Sequence, residues 1–310
     1  MELEQLTREV CRVAREAGSY IRKEREGFSV KQVERKHAHD YVSYVDKGSE
    51  RMIVEALKAL VPEAGFITEE GTTKEDGRGL MDDAFTWVVD PLDGTTNFIH
   101  GYAPYAVSIA LTQGREMLIG VVYEVCANEC FYAWKGGGAW MDDGRGLMDD
   151  GRGERLQVGN SAICDALLCL QLPYNSDAYK PVIKGLIDRF YGNVGSIRMI
   201  GSAALALCYV AAGRLDGYAE RYIGQWDYMA GALIVKEAGG RVTNYAGEDY
   251  IMEGDSVVAT NGVTHEALLE AVIGDGNKNF FISTKKETVS LFCAQLFVIL
   301  SPNFKNIGIR

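Results

Sequence analysis

The 310-residue chain lacks an apolar run of about 20 residues, so no stretch of it is long enough to cross a bilayer as a helix. It also lacks a basic surplus. Against 43 Asp and Glu stand 32 Lys and Arg, for a net charge of −11, and no basic patch breaks that balance. An electrostatic footprint for nucleic acid is thereby excluded. The seven cysteines are odd in number and have no paired short spacing, which argues against a disulfide framework and for a reducing compartment, the cytoplasm. Cys126 and Cys130 flank Ala127-Asn128-Glu129 at an expected hairpin turn, without the second Cys or His pair that zinc requires. Of only four histidines, His37 and His39 read as exposed loop because no partner ligands follow nearby. The N-terminus offers acids and arginines in place of an apolar segment, so no secretory signal is expected.

What the chain does have is a globular composition, 47% hydrophobic and 24% charged, sufficient for a sizeable core. It also has one abrupt switch. Trp87-Val88-Val89 is a buried-strand sequence that turns into Asp90-Pro91-Leu92-Asp93-Gly94-Thr95-Thr96-Asn97-Phe98. Pro91 removes an N–H and biases Asp90 away from helical geometry, so the strand is expected to end on Asp90. Gly94 permits a tight turn, and the hydroxyl and amide residues after it are helix-start types whose free N–H groups suit an anion. Asp90 and Asp93 are three positions apart on a bend. Their carboxylates converge at a cost in charge repulsion that a hard divalent cation such as Mg²⁺ relieves, no His or Cys being close. The other reading of the same residues is an ordinary turn in which both acids cap backbone amides.

Around this turn the pattern alternates helices and strands. Leu3, Leu6, Val10, Val13, Ala14, Ala17 and Ile21 mark an amphipathic helix. A strand or hairpin is expected near residues 41–45, then a helix capped by Asp46 and ended by Pro62. Gly65-Phe66-Ile67-Thr68 delivers Glu69-Glu70, of which only one faces the acidic turn because adjacent strand residues point apart. Strands follow over residues 105–112, 118–124 and 130–134. Later come strands near 155–158, 166–172, 216–220, 241–243 and 256–260, with helices over 181–190, 203–212 (capped by Ser202), 228–238 (begun by Trp226-Asp227) and from Thr264 to 273. The octapeptide Asp-Gly-Arg-Gly-Leu-Met-Asp-Asp occurs at 76–83 and again at 143–150, and it reads as surface loop. Residues 288–300 form an apolar segment too short to span a membrane.

The Asp90-to-Phe98 block resembles the signature of the inositol monophosphatase family of magnesium-dependent, lithium-sensitive phosphatases. Three more blocks support the resemblance in family order. They are Phe66-Ile67-Thr68-Glu69-Glu70, Gly201-Ser202-Ala203-Ala204, and Trp226-Asp227-Tyr228-Met229-Ala230-Gly231-Ala232 running to Gly239-Gly240. The likeness covers about residues 1 to 273 and leaves 275–310 as an extra tail.

The resemblance implies an α/β fold layered αβαβα. Residues 1–156 would form an N-terminal subdomain carrying the metal-binding turn, and 157–274 would complete the active site. It implies two or three Mg²⁺ ions held by Glu69, Asp90, the Leu92 carbonyl, Asp93 and Asp227, with Glu69, Thr95 and Asp90 acting in catalysis. It implies substrate contacts from Asp93, Gly94, Thr95, Thr96, Gly201, Ser202, Ala203, Glu220 and Asp227. Asp46, and Lys36 in a basic loop, would stand behind these. The expected activity is hydrolysis of a small phosphate monoester, inositol 1-phosphate first, by a homodimer. Histidinol phosphate, fructose 1,6-bisphosphate, NADP and 3′-phosphoadenosine 5′-phosphate are alternatives, the last disfavoured by Thr96 where that group often carries Lys. A second role as a partner of the transcription machinery also stays open.

Overall fold

The computed structural model describes residues 2–29, 33–37, 40–72, 84–144, 153–172, 176–249, 252 and 254–273. The first octapeptide, most of the second, His39 and the tail from 274 lie outside the described residues.

Helix α1 (Leu3–Glu26) is followed by the hairpin β1 (Val33–His37) and β2 (Asp40–Ser43), then α2 (Tyr44–Leu60). Next come β3 (Gly65–Thr68), β4 (Phe85–Asp93), the short α3 (Thr95–His100), β5 (Ala106–Gln113), β6 (Glu116–Glu124), β7 (Glu129–Trp134), β8 (Gly138–Asp142) and β9 (Glu154–Arg155). The second half runs β10 (Leu167–Leu170), α4 (Ser176–Phe190), β11 (Ser196–Arg198), α5 (Ala203–Ala211), β12 (Gly217–Ile223), α6 (Gln225–Glu237), β13 (Arg241–Thr243), β14 (Asp255–Thr260) and α7 (His265–Ile273).

Among the described residues β3 to β9 form a seven-stranded sheet in sequence order, parallel only between β3 and β4. A five-stranded mixed sheet has the order β11-β10-β12-β14-β13. Side-chain alternation along β4, β5 and β6 produces the layers. Trp87, Val89, Val107, Ile109, Val121 and Tyr123 face α1 and α2, whereas Val88, Ala106, Ala110 and Val122 face the other way, toward α5 and α6. Small residues there admit a close helix. A Cβ on Gly120 would collide with the Ala230 carbonyl of α6. Helices α5 and α6 are apolar nearly all round because both sides are covered, one by each sheet. Helices α4 and α7 close the outer face of the second sheet through Tyr179, Leu186 and Leu268. The layering is therefore αβαβα, as expected.

Several boundaries differ from the sequence reading, each for a local reason. Helix α2 starts two residues before Asp46. Ser43 is its cap, and Asp46 is the third helical residue, whose carboxylate accepts from the Ser43 N–H in a reciprocal capping box. Helix α6 likewise begins at Gln225, with Asp227 third and accepting from the Gly224 N–H. Helix α4 extends back to Ser176, so Pro181 lies inside it. Strands β8 and β11, which the alternation pattern does not single out, extend the sheets: burial on both faces hides the period of two in β8, and β11 spans only three residues, too few to show it. Finally, β4 does not stop at Asp90 but carries on to Asp93 through an irregular register.

Candidate active site

That irregularity builds the site. Asp90 pairs with Ser108 and Asp93 with Ala106, so three steps along β4 answer two along β5. Pro91 donates no backbone bond, and the extra residue is a bulge. In a regular strand residues three apart face opposite ways. The bulge removes one alternation and turns Asp90 and Asp93 to the same side.

Asp227, from the first turn of α6, meets them there. Ligand oxygens of Asp90, Asp93 and Asp227 all lie within 4.8 Å of one another, with Asp90 1% and Asp93 7% exposed. Glu69, delivered by β3 and held by its N–H on the Val89 carbonyl at 3.2 Å, lines the same cavity of about 530 Å³. Its neighbour Glu70 is not among the lining residues.

Burial pushes the carboxyls of Asp90 and Asp227 well above the usual carboxylate range, and repulsion from Glu69 adds to it. Asp93 is pushed up to about 6 by burial, opposed by bonds from the Ser202 hydroxyl and the N–H groups of Ala204 and Ala203. Those donors begin α5, whose free N–H groups favour a negative charge. Asp90 accepts from the Leu92 N–H at 2.9 Å. The donor set is all carboxylate and carbonyl oxygen, hard ligands packed too closely to ionise together without a cation. It fits Mg²⁺ chemistry.

Beside the acids, Thr95 Oγ1 lies 2.9 Å from Asp46 Oδ1 and 3.0 Å from the Leu92 carbonyl oxygen. Its one proton is directed to these acceptors, which leaves lone-pair density for a further donor. Asp46 is raised by burial, with bonds from Ser43 and Thr95 acting against that rise. Gly94 has φ 93, and a Cβ there would sit 3.1 Å from the Gly201 carbonyl oxygen, so only glycine fits the turn. Thr96, Gly201, Ala203 and Glu220 line the cavity. Glu220 accepts from the Tyr218 hydroxyl, and burial pushes it up to about 8.

One expected contact and one expected loop are placed differently. Ser202 is 1% exposed and does not line the cavity, because its hydroxyl is committed to Asp93 and accepts from the Leu205 N–H. Lys36 falls in β1, and its side chain lies outside the described residues.

A set of residues that sequence reasoning missed stands on α2. Glu50, fully buried, accepts from the Glu70 N–H (2.8 Å), the Thr72 N–H (2.7 Å) and the Thr72 hydroxyl (2.6 Å). Ser49 donates to the Pro91 carbonyl at 3.0 Å. With Asp46 on Thr95, one face of α2 thus ties together three segments of the site. The signal was present in the sequence. Asp46, Ser49 and Glu50 occupy the stripe that Ile53 and Leu57 continue, and polar residues in an apolar stripe need buried partners.

The family model for the inositol monophosphatase family matches residues 2–274. A protein of Pasteurella multocida named Nus factor SuhB is 38% identical over 259 residues, 83% of this chain and 92% of its own length. An inositol-1-monophosphatase of Rhizobium meliloti is 39% identical over 246 residues, covering 78% and 86%. Among solved structures, extragenic suppressor protein suhB from Bartonella henselae aligns with TM-score 0.75 and 32% identity, over 86% of this chain and 97% of that one. A family match across nearly all of the described residues, on a fold whose bulged strand gathers the acids of the signature block, shows that the chain belongs to the inositol monophosphatase family, a family of phosphatases.

Proposed function

We propose that the protein is a Mg²⁺-dependent phosphate monoester hydrolase acting on a small polyol phosphate, with inositol 1-phosphate the first candidate. The observation that carries this is the buried triad of Asp90, Asp93 and Asp227 within 4.8 Å. At that distance two unit charges repel by about 3.5 kcal/mol at an effective dielectric near 20. Three such pairs and Glu69 are a heavy load on the fold unless a cation is the usual occupant.

Asp90, Asp93 and Asp227, with Glu69 and the Leu92 carbonyl, would hold the metal, which supplies positive charge for the phosphoryl oxygens and the leaving oxygen. The chain's own groups do the rest. Thr95, its proton directed toward Asp46 and Leu92, accepts from the attacking water, and Glu69 orients the same water and takes its proton. Gly94, Thr95 and Thr96 contact the phosphate. Ala203 and Glu220 face the alcohol part, where Glu220 accepts from a hydroxyl. A Nus-factor role, which the name of the Pasteurella relative carries, would not by itself use this buried acid cluster, and as a second role it is compatible with the hydrolase reading. The chain is read as a cytoplasmic homodimer. Support for the compartment comes from the six described cysteines, all free; no described helix is long and apolar enough to cross a membrane.

The test is phosphate release from a panel of inositol 1-phosphate, histidinol phosphate, fructose 1,6-bisphosphate, NADP and 3′-phosphoadenosine 5′-phosphate, with Mg²⁺ and with a chelator. Release from inositol 1-phosphate that the chelator abolishes is expected. No release from any ester would overturn the reading.

A further inference from the structure

Four of the nine large apolar side chains that are exposed among the described residues line this one cavity. They are Tyr102 (65%), Leu172 (58%), Met199 (47%) and Tyr222 (41%). They come from four separate segments, after α3, after β10, after β11 and within β12. A stretch of scattered surface would not gather them. Apolar side chains left wet around a pocket whose base is carboxylate mark where the apolar part of a ligand is covered.

The backbone at Tyr222 strengthens the point. The β12 register against β14 passes from Arg221↔Ser256 to Ile223↔Asp255, so Tyr222 has no opposite residue and is a bulge. Its φ is 63, a conformation that a bulky side chain rarely adopts. Bulges beside sites re-aim side chains, and strain of this kind is kept where the aim is used. The ring is fixed in place by the edge of Tyr179, at 6.3 Å and 77°, with the Arg221 guanidinium 5.4 Å from its centroid. Glu220 lies two residues earlier on the same strand, so one strand presents a hydroxyl acceptor within the cavity and a rigid aromatic ring beside it.

We infer that Tyr222, with Tyr102, Leu172 and Met199, selects phosphate monoesters whose alcohol part carries an aromatic or similarly flat apolar group. The inference rests on the phosphatase reading and adds such esters to the polyol phosphates proposed for the site. An aromatic group stacks on or against the edge of Tyr222, and Met199 and Leu172, which line the same cavity, add apolar contact; the Met sulfur is a favourable neighbour for a ring.

The experiment compares kcat/KM for ethyl phosphate with that for 2-phenylethyl and 4-phenylbutyl phosphate, esters of similar leaving group that differ in the ring. The wild-type enzyme is expected to favour the better aryl ester at least fivefold over ethyl phosphate. Tyr222→Asn removes the ring but keeps a residue type that accepts positive φ, and the preference should fall fivefold or more with Tm changed by less than about 3 °C. Tyr222→Phe should retain it, and Leu172→Ser, at an exposed position, should lower it. A wild-type ratio near one, a ratio unmoved by Tyr222→Asn, or equal losses on all esters together with a large drop in Tm would overturn the inference. Hydrolysis of the wider panel without any aryl preference would overturn it while leaving the phosphatase reading intact; inactivity on every ester would take both down.

Discussion

Glu50→Gln is a substitution far enough from the acids to spare them and near enough to move one. The native carboxylate receives three donors, from Glu70 and Thr72, at 2.6 to 2.8 Å. Bonds to a charged acceptor are worth about 1.5–3 kcal/mol each, and an orphaned buried N–H costs about 1–3 kcal/mol. Glutamine keeps one oxygen and turns an NH₂ toward a donor, so at least one of the three bonds is lost. A local loss of about 2 kcal/mol is expected at the turn that follows Glu69. The helix keeps its apolar stripe of Ile53, Val54 and Leu57, so the chain should fold. Glu69, however, loses the clamp on the next residue, and a displacement of about 1 Å near reacting groups costs up to about 100-fold in rate. We expect kcat/KM on the best panel ester to fall about 10- to 100-fold and the Mg²⁺ concentration for half-maximal rate to rise at least threefold. Steady-state kinetics over a Mg²⁺ series reads both. An unchanged rate would show that the clamp does not support the site. A reduced rate with an unchanged Mg²⁺ requirement would show the same of Glu69, through which the clamp acts.

The adjacent acids give a second expectation. Glu69 lines the cavity and Glu70 does not, so Glu69→Gln should lower kcat/KM by about 100-fold or more and Glu70→Gln by less than about fivefold, with equal losses contradicting the placement. A third concerns His265, which is fully buried between the Thr243 and Thr260 hydroxyls. Burial lowers its pKa to about 4, against about 6.5 in an unfolded chain. The unfolded state therefore binds more protons between these values, and stability present above pH 6.5 is lost as pH falls toward 4. Tm followed from pH 7 to 4.5 should drop more steeply for the native chain than for His265→Gln, and parallel curves would exclude His265 as the cause.

What was legible in the sequence follows from what leaves a one-dimensional trace. The change from Trp87-Val88-Val89 to Asp90-Pro91 marked the site because an apolar strand cannot run into acids without a reason, and Ser202 was readable as a cap from residue type alone. Convergence of Asp90 and Asp93 was expected from a bend after Asp90. The actual device is a bulge inside a longer strand, which spacing alone does not reveal. An Asp before an apolar stripe resembles a cap, so the sequence points to Asp46 as the start of α2. Ser43 three residues earlier competes for the same role, and the Ser-x-x-Asp reciprocity decides it. Glu50 and Ser49 leave no local trace of their role, because their partners lie 20 to 42 residues away, at Glu70, Thr72 and Pro91. The bulge at Tyr222 had no trace, since neither Gly nor Asn stands at the positive φ.

If the buried acids of the Asp90 bulge hold a divalent cation, thermal unfolding with and without Mg²⁺ should register it. Asp90 is the best position, since among the described residues its carboxylate accepts one hydrogen bond, from the Leu92 N–H, and asparagine can keep it. With Mg²⁺ at about a hundredfold excess over its Kd, linkage predicts roughly 2.7 kcal/mol of stabilisation per site in the native chain. Asp90→Asn removes one of the mutually repelling charges. Its Tm without metal should equal or exceed that of the native chain, while the rise on adding Mg²⁺ should largely disappear. A native chain whose Tm ignores Mg²⁺, or an Asp90→Asn chain with a lower metal-free Tm and an undiminished Mg²⁺ response, would contradict the account.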